Sequence, residues 1–151
     1  MKTDILIADE MDSGLSPELF QQAAEAVMAE LDTSFEECEI SLMICSDEEI
    51  KNLNKVYREK DYATDVLSFP MSEDPYEEGG MLGDIVISLD TAKKQAAEAD
   101  IALEREISFL FIHGLLHLMG FDHELGEDEE KEMFDLQEEI LSNLVKAGKV
   151  A

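Results

Sequence analysis

The segment from Leu103 to Leu118 constrains the fold more than any other part of this sequence. Its apolar residues occupy nearly every side of a helix: Ile107, Phe109, Leu110, Phe111, Ile112, Leu115, Leu116 and Leu118. A helix that is hydrophobic all round has to be buried inside the protein. We therefore expect this segment to form the central helix of the domain, surrounded by the other elements of the chain.

All three histidines of the chain lie on this segment or just after it. His113 and His117 are spaced i, i+4, so both imidazoles project from one face of a helix. Gly120 follows, where a glycine can adopt the positive φ that ends a helix and turns the chain toward His123. Three imidazoles leave one position of a tetrahedral zinc ion for water, as in catalytic zinc sites. The spacing predicts one zinc ion per chain, bound by His113, His117 and His123.

Two alternatives compete with a catalytic zinc site. The pattern H-x-x-x-H-x-x-G-x-x-H has the ligand spacing of the metzincin metalloproteases, but Gly114 stands where those enzymes carry the general-base Glu. A zinc peptidase would lack its base, so Gly114 disfavours that function. In the other alternative the histidines only hydrogen-bond to carbonyl groups in a buried core. The clustering of every histidine at ligand spacing favours the metal site.

The remaining hydrophobic pattern predicts elements in the order β-α-β-α-β-β-α-α-α. Alternation with a period of two predicts strands, and apolar stripes at helical spacing predict helices. The predicted strands cover residues 4–8, 39–45, 64–69 and 83–88, and the predicted helices begin near residues 17, 47, 90, 103 and 127. The last helix has an apolar stripe formed by Met133, Leu136, Ile140 and Leu144. We expect residues 1–151 to form a single α+β domain, a small mixed sheet packed with helices around the His-bearing helix.

Charge and apolar content limit the possible partners. The formal net charge is −26, from 37 acidic and 11 basic residues, so a broad basic surface for DNA or RNA is not expected and any polyanion must be bound locally. No apolar run is long enough to predict a membrane span, and the N-terminus lacks the apolar core of a signal peptide, which favours a cytoplasmic protein. Cys38, which directly precedes the predicted strand 39–45, and Cys45 are an odd number of residues apart. This separation places them on opposite faces of the strand, so we expect no disulfide bond between them.

Three segments together resemble a known family. They are the Tyr57-Arg58 pair, the strand Thr64–Phe69 with the sequence T-D-V-L-S-F, and the histidine segment H-G-L-L-H-L-M-G-F-D-H from His113 to His123. Together with Leu82–Ser88, they resemble the bacterial YbeY family of metal-dependent endoribonucleases, in order over roughly residues 50–123. The co-occurrence of these segments is highly specific to that family.

The resemblance implies a zincin-like fold with zinc bound by the three histidines. It also implies hydrolysis of single-stranded RNA in maturation of the 16S ribosomal RNA 3′ end and in ribosome quality control. Ribosomal proteins or an assembly GTPase are the implied protein partners. A factor that assists ribosome assembly without catalysis, and uses zinc only structurally, is the alternative, since an acidic surface suits basic ribosomal proteins.

Several residues near these segments are candidates for the site. The resemblance implies a catalytic role for Arg58, whose guanidinium can hold phosphoryl oxygens, although a cation at the end of a helix can also serve only the helix dipole. Thr64, Asp65 and Ser68 can line a substrate cleft or can simply bond the backbone. Asp122 can orient an imidazole ligand or can cap a turn.

Overall fold

The computed structural model describes residues 2–31, 37–72, 80–121 and 126–150. Its elements follow the predicted order: β1 (Lys2–Asp9), α1 (Pro17–Leu31), β2 (Glu37–Cys45), α2 (Asp47–Arg58), β3 (Val66–Pro70), β4 (Met81–Ser88), α3 (Leu89–Ala99), α4 (Leu103–Leu118) and α5 (Glu127–Lys146). Within these ranges, no helix combines the length and apolar character needed to cross a membrane. The α+β class predicted from the hydrophobic pattern is confirmed.

The four strands form one mixed sheet in the order β1-β2-β4-β3. Strands β1, β2 and β4 run parallel, and β3 pairs antiparallel with β4 at the sheet edge. Although β3 precedes β4 in the chain, β3 is the edge strand and β4 lies between β3 and β2. This order places β3, which follows the helix that ends at Arg58, beside the histidine-bearing helix.

Helix α4 is the centre of the domain, as its all-round apolar sequence predicts. It contacts α1, α3, α5, β3 and β4, and most of its apolar side chains are fully buried. Phe111 packs edge-to-face against Phe20 of α1, with ring centroids 5.3 Å apart. Packing from several directions holds α4 rigidly, which suits a helix whose side chains must keep a defined geometry.

The two cysteines lie on opposite faces of the sheet. Cys38 belongs to the main core beneath α1, α4 and α5, whereas Cys45 belongs to the smaller cluster under α2. Both thiols are free and buried, which confirms the expectation that they do not bond to each other. Burial raises the pKa of Cys45 to about 12, so its thiol stays protonated and unreactive at neutral pH.

The two ends of helix α2 and the end of α4 are set by local sequence. The Ser46 hydroxyl accepts the backbone N–H of Glu49 at 3.2 Å, which is the expected N-cap of α2. Helix α2 ends at Arg58, and Glu59 adopts a left-handed conformation with φ of 57°. Gly120 has φ of +98°, which confirms the positive φ predicted for the turn after α4.

Candidate metal centre and cleft

The imidazoles of His113 and His117 lie side by side on one face of α4. Their Nε2 atoms are 3.1 Å apart, and their ring centroids are 4.7 Å apart. Two nitrogens that each lie about 2.0–2.1 Å from one tetrahedral zinc ion must be separated by roughly 3.3 Å. The pair therefore fits two ligands of one ion, as the i, i+4 spacing predicts.

Gln137 of α5 contacts the ring nitrogen of His113 that lies away from His117. The Nδ1 atom of His113 lies 2.9 Å from the Oε1 atom of Gln137. Since this oxygen can only accept a hydrogen bond, Nδ1 carries the proton and Nε2 keeps its lone pair directed toward His117. Protein metal sites commonly hold a histidine ligand in this way, through a bond from its other ring nitrogen.

Gln137 is not among the site residues that the sequence predicts, although three of the four residues on the predicted apolar stripe of α5 are buried, namely Met133, Ile140 and Leu144. Leu136 was predicted on the apolar stripe, but it is only half-buried, whereas Gln137 is 3% exposed. Gln137 lies at helical spacing between Met133 and Ile140, which are both buried. An amide at a core position of an amphipathic helix was the available signal, because a buried amide needs a hydrogen-bonding partner.

The third expected ligand, His123, and its neighbour Asp122 lie outside the described residues. Their predicted roles, as a zinc ligand and as a residue that orients an imidazole, therefore stay predictions. Among the described residues no group of three potential ligands occurs. The chain leaves α4 through the Gly120 turn, where the N–H of Phe121 donates to the carbonyl of Leu116 at 3.0 Å.

Gly114, which stands where metzincins carry a glutamate, lies in close contact with β4. A Cβ atom at this position would lie 2.9 Å from Cγ2 of Ile85, a fully buried residue of β4. A side chain at position 114 would therefore force either Ile85 or α4, which carries His113 and His117, to shift. The same close approach excludes a glutamate base at this position in the present packing.

The histidine pair opens into a cleft of about 490 Å³ between α4 and the segment that runs from the end of α2 through β3. Arg58, Thr64 and Ser68 of the predicted site line this cleft together with His113 and His117. The tertiary structure thus brings together residues that are far apart in the chain.

Asp65 is the predicted site residue that the structure places elsewhere. Its carboxylate accepts the N–H of Val66 at 2.8 Å and borders a separate hollow beside α5. Burial and, to a smaller extent, the charge of Asp65 raise the pKa of Glu106 on α4. The carboxyl groups of Asp65 and Glu106 thus lie outside the lining of the cleft. The geometry favours the backbone-bonding alternative for Asp65.

Arg58 is held at the cleft by two contacts with β3. Its Nη2 atom donates to the backbone carbonyl of Ser68 at 2.6 Å, and its guanidinium carbon lies 5.4 Å from the centre of the Phe69 ring. The guanidinium has five N–H donors, so the bond to Ser68 fixes its position without using them all. The head group of Arg58 is therefore held against β3, and the residue lines the cleft.

Among the described residues, the charged side chains that line the cleft are opposite in sign to the net charge of the chain. Arg58 and Lys60 are its cationic residues, and no carboxylate occurs among the described residues that line it. The nearby Asp61 is turned toward Lys51, with 3.9 Å between the ammonium and carboxylate. In a chain of net charge −26, this local arrangement favours binding of an anion at the histidine pair.

Comparisons with known proteins agree in sequence and in fold. Residues 7–145 match the family model described as Endoribonuclease YbeY. A protein named Endoribonuclease YbeY from Persephonella marina is 44% identical over 142 residues, which cover 93% of this chain and 92% of the relative. Another from Aquifex aeolicus is 53% identical over 111 residues, which cover 72% of each chain. The solution structure of TM1509 from Thermotoga maritima superimposes with a TM-score of 0.67 and 31% identity, covering 97% of this chain and 91% of that one.

Proposed function

Because the chain belongs to the Endoribonuclease YbeY family, we propose that it is a zinc-dependent hydrolase that cleaves single-stranded RNA. Its proposed roles are maturation of the 16S ribosomal RNA 3′ end and ribosome quality control. The observation that carries this proposal is the histidine pair at a cleft whose charged lining, among the described residues, is only cationic. RNA is a polyanion, and this cleft is where an acidic protein can bind one. Such a substrate would place the protein in the cytoplasm.

His113 and His117 would hold the ion, with His123 as the proposed third ligand. When bound, zinc supplies Lewis acidity, since it lowers the pKa of a coordinated water and polarises a phosphoryl oxygen. Gln137 keeps the proton of His113 on Nδ1, so that Nε2 remains a ligand. Arg58 binds the phosphoryl oxygens and stabilises the charge that develops on them as the phosphodiester bond breaks.

The rest of the surface suits protein partners. Outside the cleft the chain is strongly acidic, and it complements basic surfaces such as those of ribosomal proteins. We therefore propose ribosomal proteins, or an assembly GTPase, as the partners that bring the cleft to its RNA. This binding does not depend on catalysis, so it would be shared by a factor that assists assembly without cleaving RNA.

One assay separates the three candidate functions. Zinc-loaded protein is incubated with single-stranded RNA, with duplex RNA and with casein, each with and without EDTA. We expect cleavage of single-stranded RNA that EDTA abolishes and added zinc restores. Cleavage of casein would instead indicate a peptidase, and intact substrates beside a fully zinc-loaded protein would indicate an assembly factor.

Metal analysis of three variants tests the ligand set. His113→Ala, His117→Ala and His123→Ala should each lose zinc or bind it far more weakly, because each removes one of three protein ligands. A variant that retains full zinc occupancy would remove its residue from the ligand set.

A further inference from the structure

The turn between α2 and β3 places an exposed aromatic residue at the lining of the cleft. Tyr62 is 54% exposed and lines the cleft beside Arg58 and Lys60. These three residues alternate along the chain, so one short segment presents two cations and one aromatic ring. A large apolar ring left exposed at the rim of a ligand cleft is a residue that a ligand can cover.

The turn is fixed by a buried residue of α2. Asn54 is 2% exposed, and its side-chain amide donates to the backbone carbonyl of Tyr62 at 2.9 Å. The carbonyl of Asn54 accepts the N–H of Lys60, and the carbonyl of Lys55 accepts the N–H of Glu59, both at 3.2 Å. Asn54 thus holds the turn at two points, and Tyr62 is presented on a defined backbone rather than on a loose loop.

The cations and the ring together match the chemistry of a single-stranded nucleic acid. Basic side chains track the phosphates of such a strand, while aromatic side chains stack on its unpaired bases. From this juxtaposition we infer that Tyr62 is a stacking subsite for one base of the bound RNA strand, beside phosphates contacted by Arg58 and Lys60. The inference rests on the proposed function, and it adds a reason for preferring single strands, because a base paired in a duplex does not expose its face.

Binding measurements on the full-length, zinc-loaded protein test the subsite. The probe is a fluorescein-labelled oligouridylate, with anisotropy read on ice and the RNA checked on a gel to be intact. Tyr62→Ala should weaken binding about 5- to 150-fold, the usual effect of removing one stacked aromatic residue. Tyr62→Phe should bind like the parent, because the ring and not the hydroxyl carries the contact. Leu6→Ala is the matched control, since Leu6 is 59% exposed but borders a different groove.

Removing a base from the RNA gives a second, independent measurement. A series of oligouridylates, each with one abasic nucleotide, should contain a position that weakens binding by the parent as much as Tyr62→Ala does. At that position Tyr62→Ala should show no further loss, because the ring and the base form one contact. In cleavage, Tyr62→Ala should raise KM and leave kcat unchanged, as expected for a uniform binding contact.

The outcomes separate this inference from the proposed function. If Tyr62→Ala binds RNA like the parent, or if every abasic penalty persists in Tyr62→Ala, the stacking subsite is wrong, whatever the cleavage assay shows. If binding depends on Tyr62 but the zinc-loaded parent never cleaves RNA, the endoribonuclease proposal is wrong and the subsite stands. RNA that is neither bound nor cleaved overturns both.

Discussion

Replacing Gln137 by leucine tests whether the zinc site depends on the residue behind His113. Leucine has a volume similar to that of glutamine, so Gln137→Leu fills the buried position but removes the oxygen that accepts the Nδ1 proton of His113 at 2.9 Å. Without that acceptor, His113 is free to shift its proton to Nε2 or to rotate its ring. Either change withdraws the lone pair that is directed toward His117.

The loss of zinc affinity in Gln137→Leu can be estimated in two ways. A buried N–H left without its acceptor costs about 1–3 kcal/mol, which is an upper limit for the partly buried N–H of His113. Mutation of a residue that orients a metal ligand lowers metal affinity about 10- to 100-fold, which corresponds to roughly 1.4–2.7 kcal/mol. The two ranges agree, so we expect Gln137→Leu to bind zinc about 10- to 100-fold more weakly than the parent.

Competition with a chromophoric chelator measures this affinity directly. Gln22→Leu is the matched control, because its amide bonds Glu18 on the surface of α1, away from the histidines. Gln137→Glu keeps an accepting oxygen and should retain zinc better than Gln137→Leu does. If Gln137→Leu binds zinc as tightly as the parent while both proteins are folded, the assigned role of Gln137 is wrong.

Three further predictions concern catalysis, packing and pH. Arg58→Ala should keep its zinc and slow RNA cleavage about 10²–10³-fold, with only partial recovery in Arg58→Lys, and parental cleavage rates would exclude the phosphate role. In thermal unfolding, Gly114→Ala should lose about 1–3 kcal/mol by overpacking against Ile85 and regain about 1 kcal/mol through helix propensity. The overpacking penalty should vanish in an Ile85→Ala background, and a clear gain in stability from Gly114→Ala alone would refute the clash. Hydrogen bonds from Ser88 and then Thr91 lower the pKa of Asp47 below 3.8, so Asp47→Ala should be less stable than the parent at pH 7. The part of this stability difference that comes from ionised Asp47 should disappear as the pH falls through the lowered pKa, and a difference independent of pH from 7 to 2 would contradict this.

What the sequence determined by itself is local. The periods of apolar residues predicted the number, order and type of the described elements. The spacing of His113 and His117 predicted that the two imidazoles share one face of a helix, which the 3.1 Å separation of their Nε2 atoms confirms. A glycine at the end of α4 predicted the positive φ of Gly120. These features depend on the geometry of one helix or one turn, so a short window of sequence contains them.

Only the tertiary structure decided which distant residues meet. The insertion of β4 between β2 and β3 depends on strand pairing across the chain, and no local pattern records it. The same holds for Gln137, which reaches His113 from a different helix, and for the Arg58 head group, which the carbonyl of Ser68 fixes. Each of these contacts is selected by how whole elements pack, because a hydrogen bond between remote residues forms only after burial has brought their backbones together.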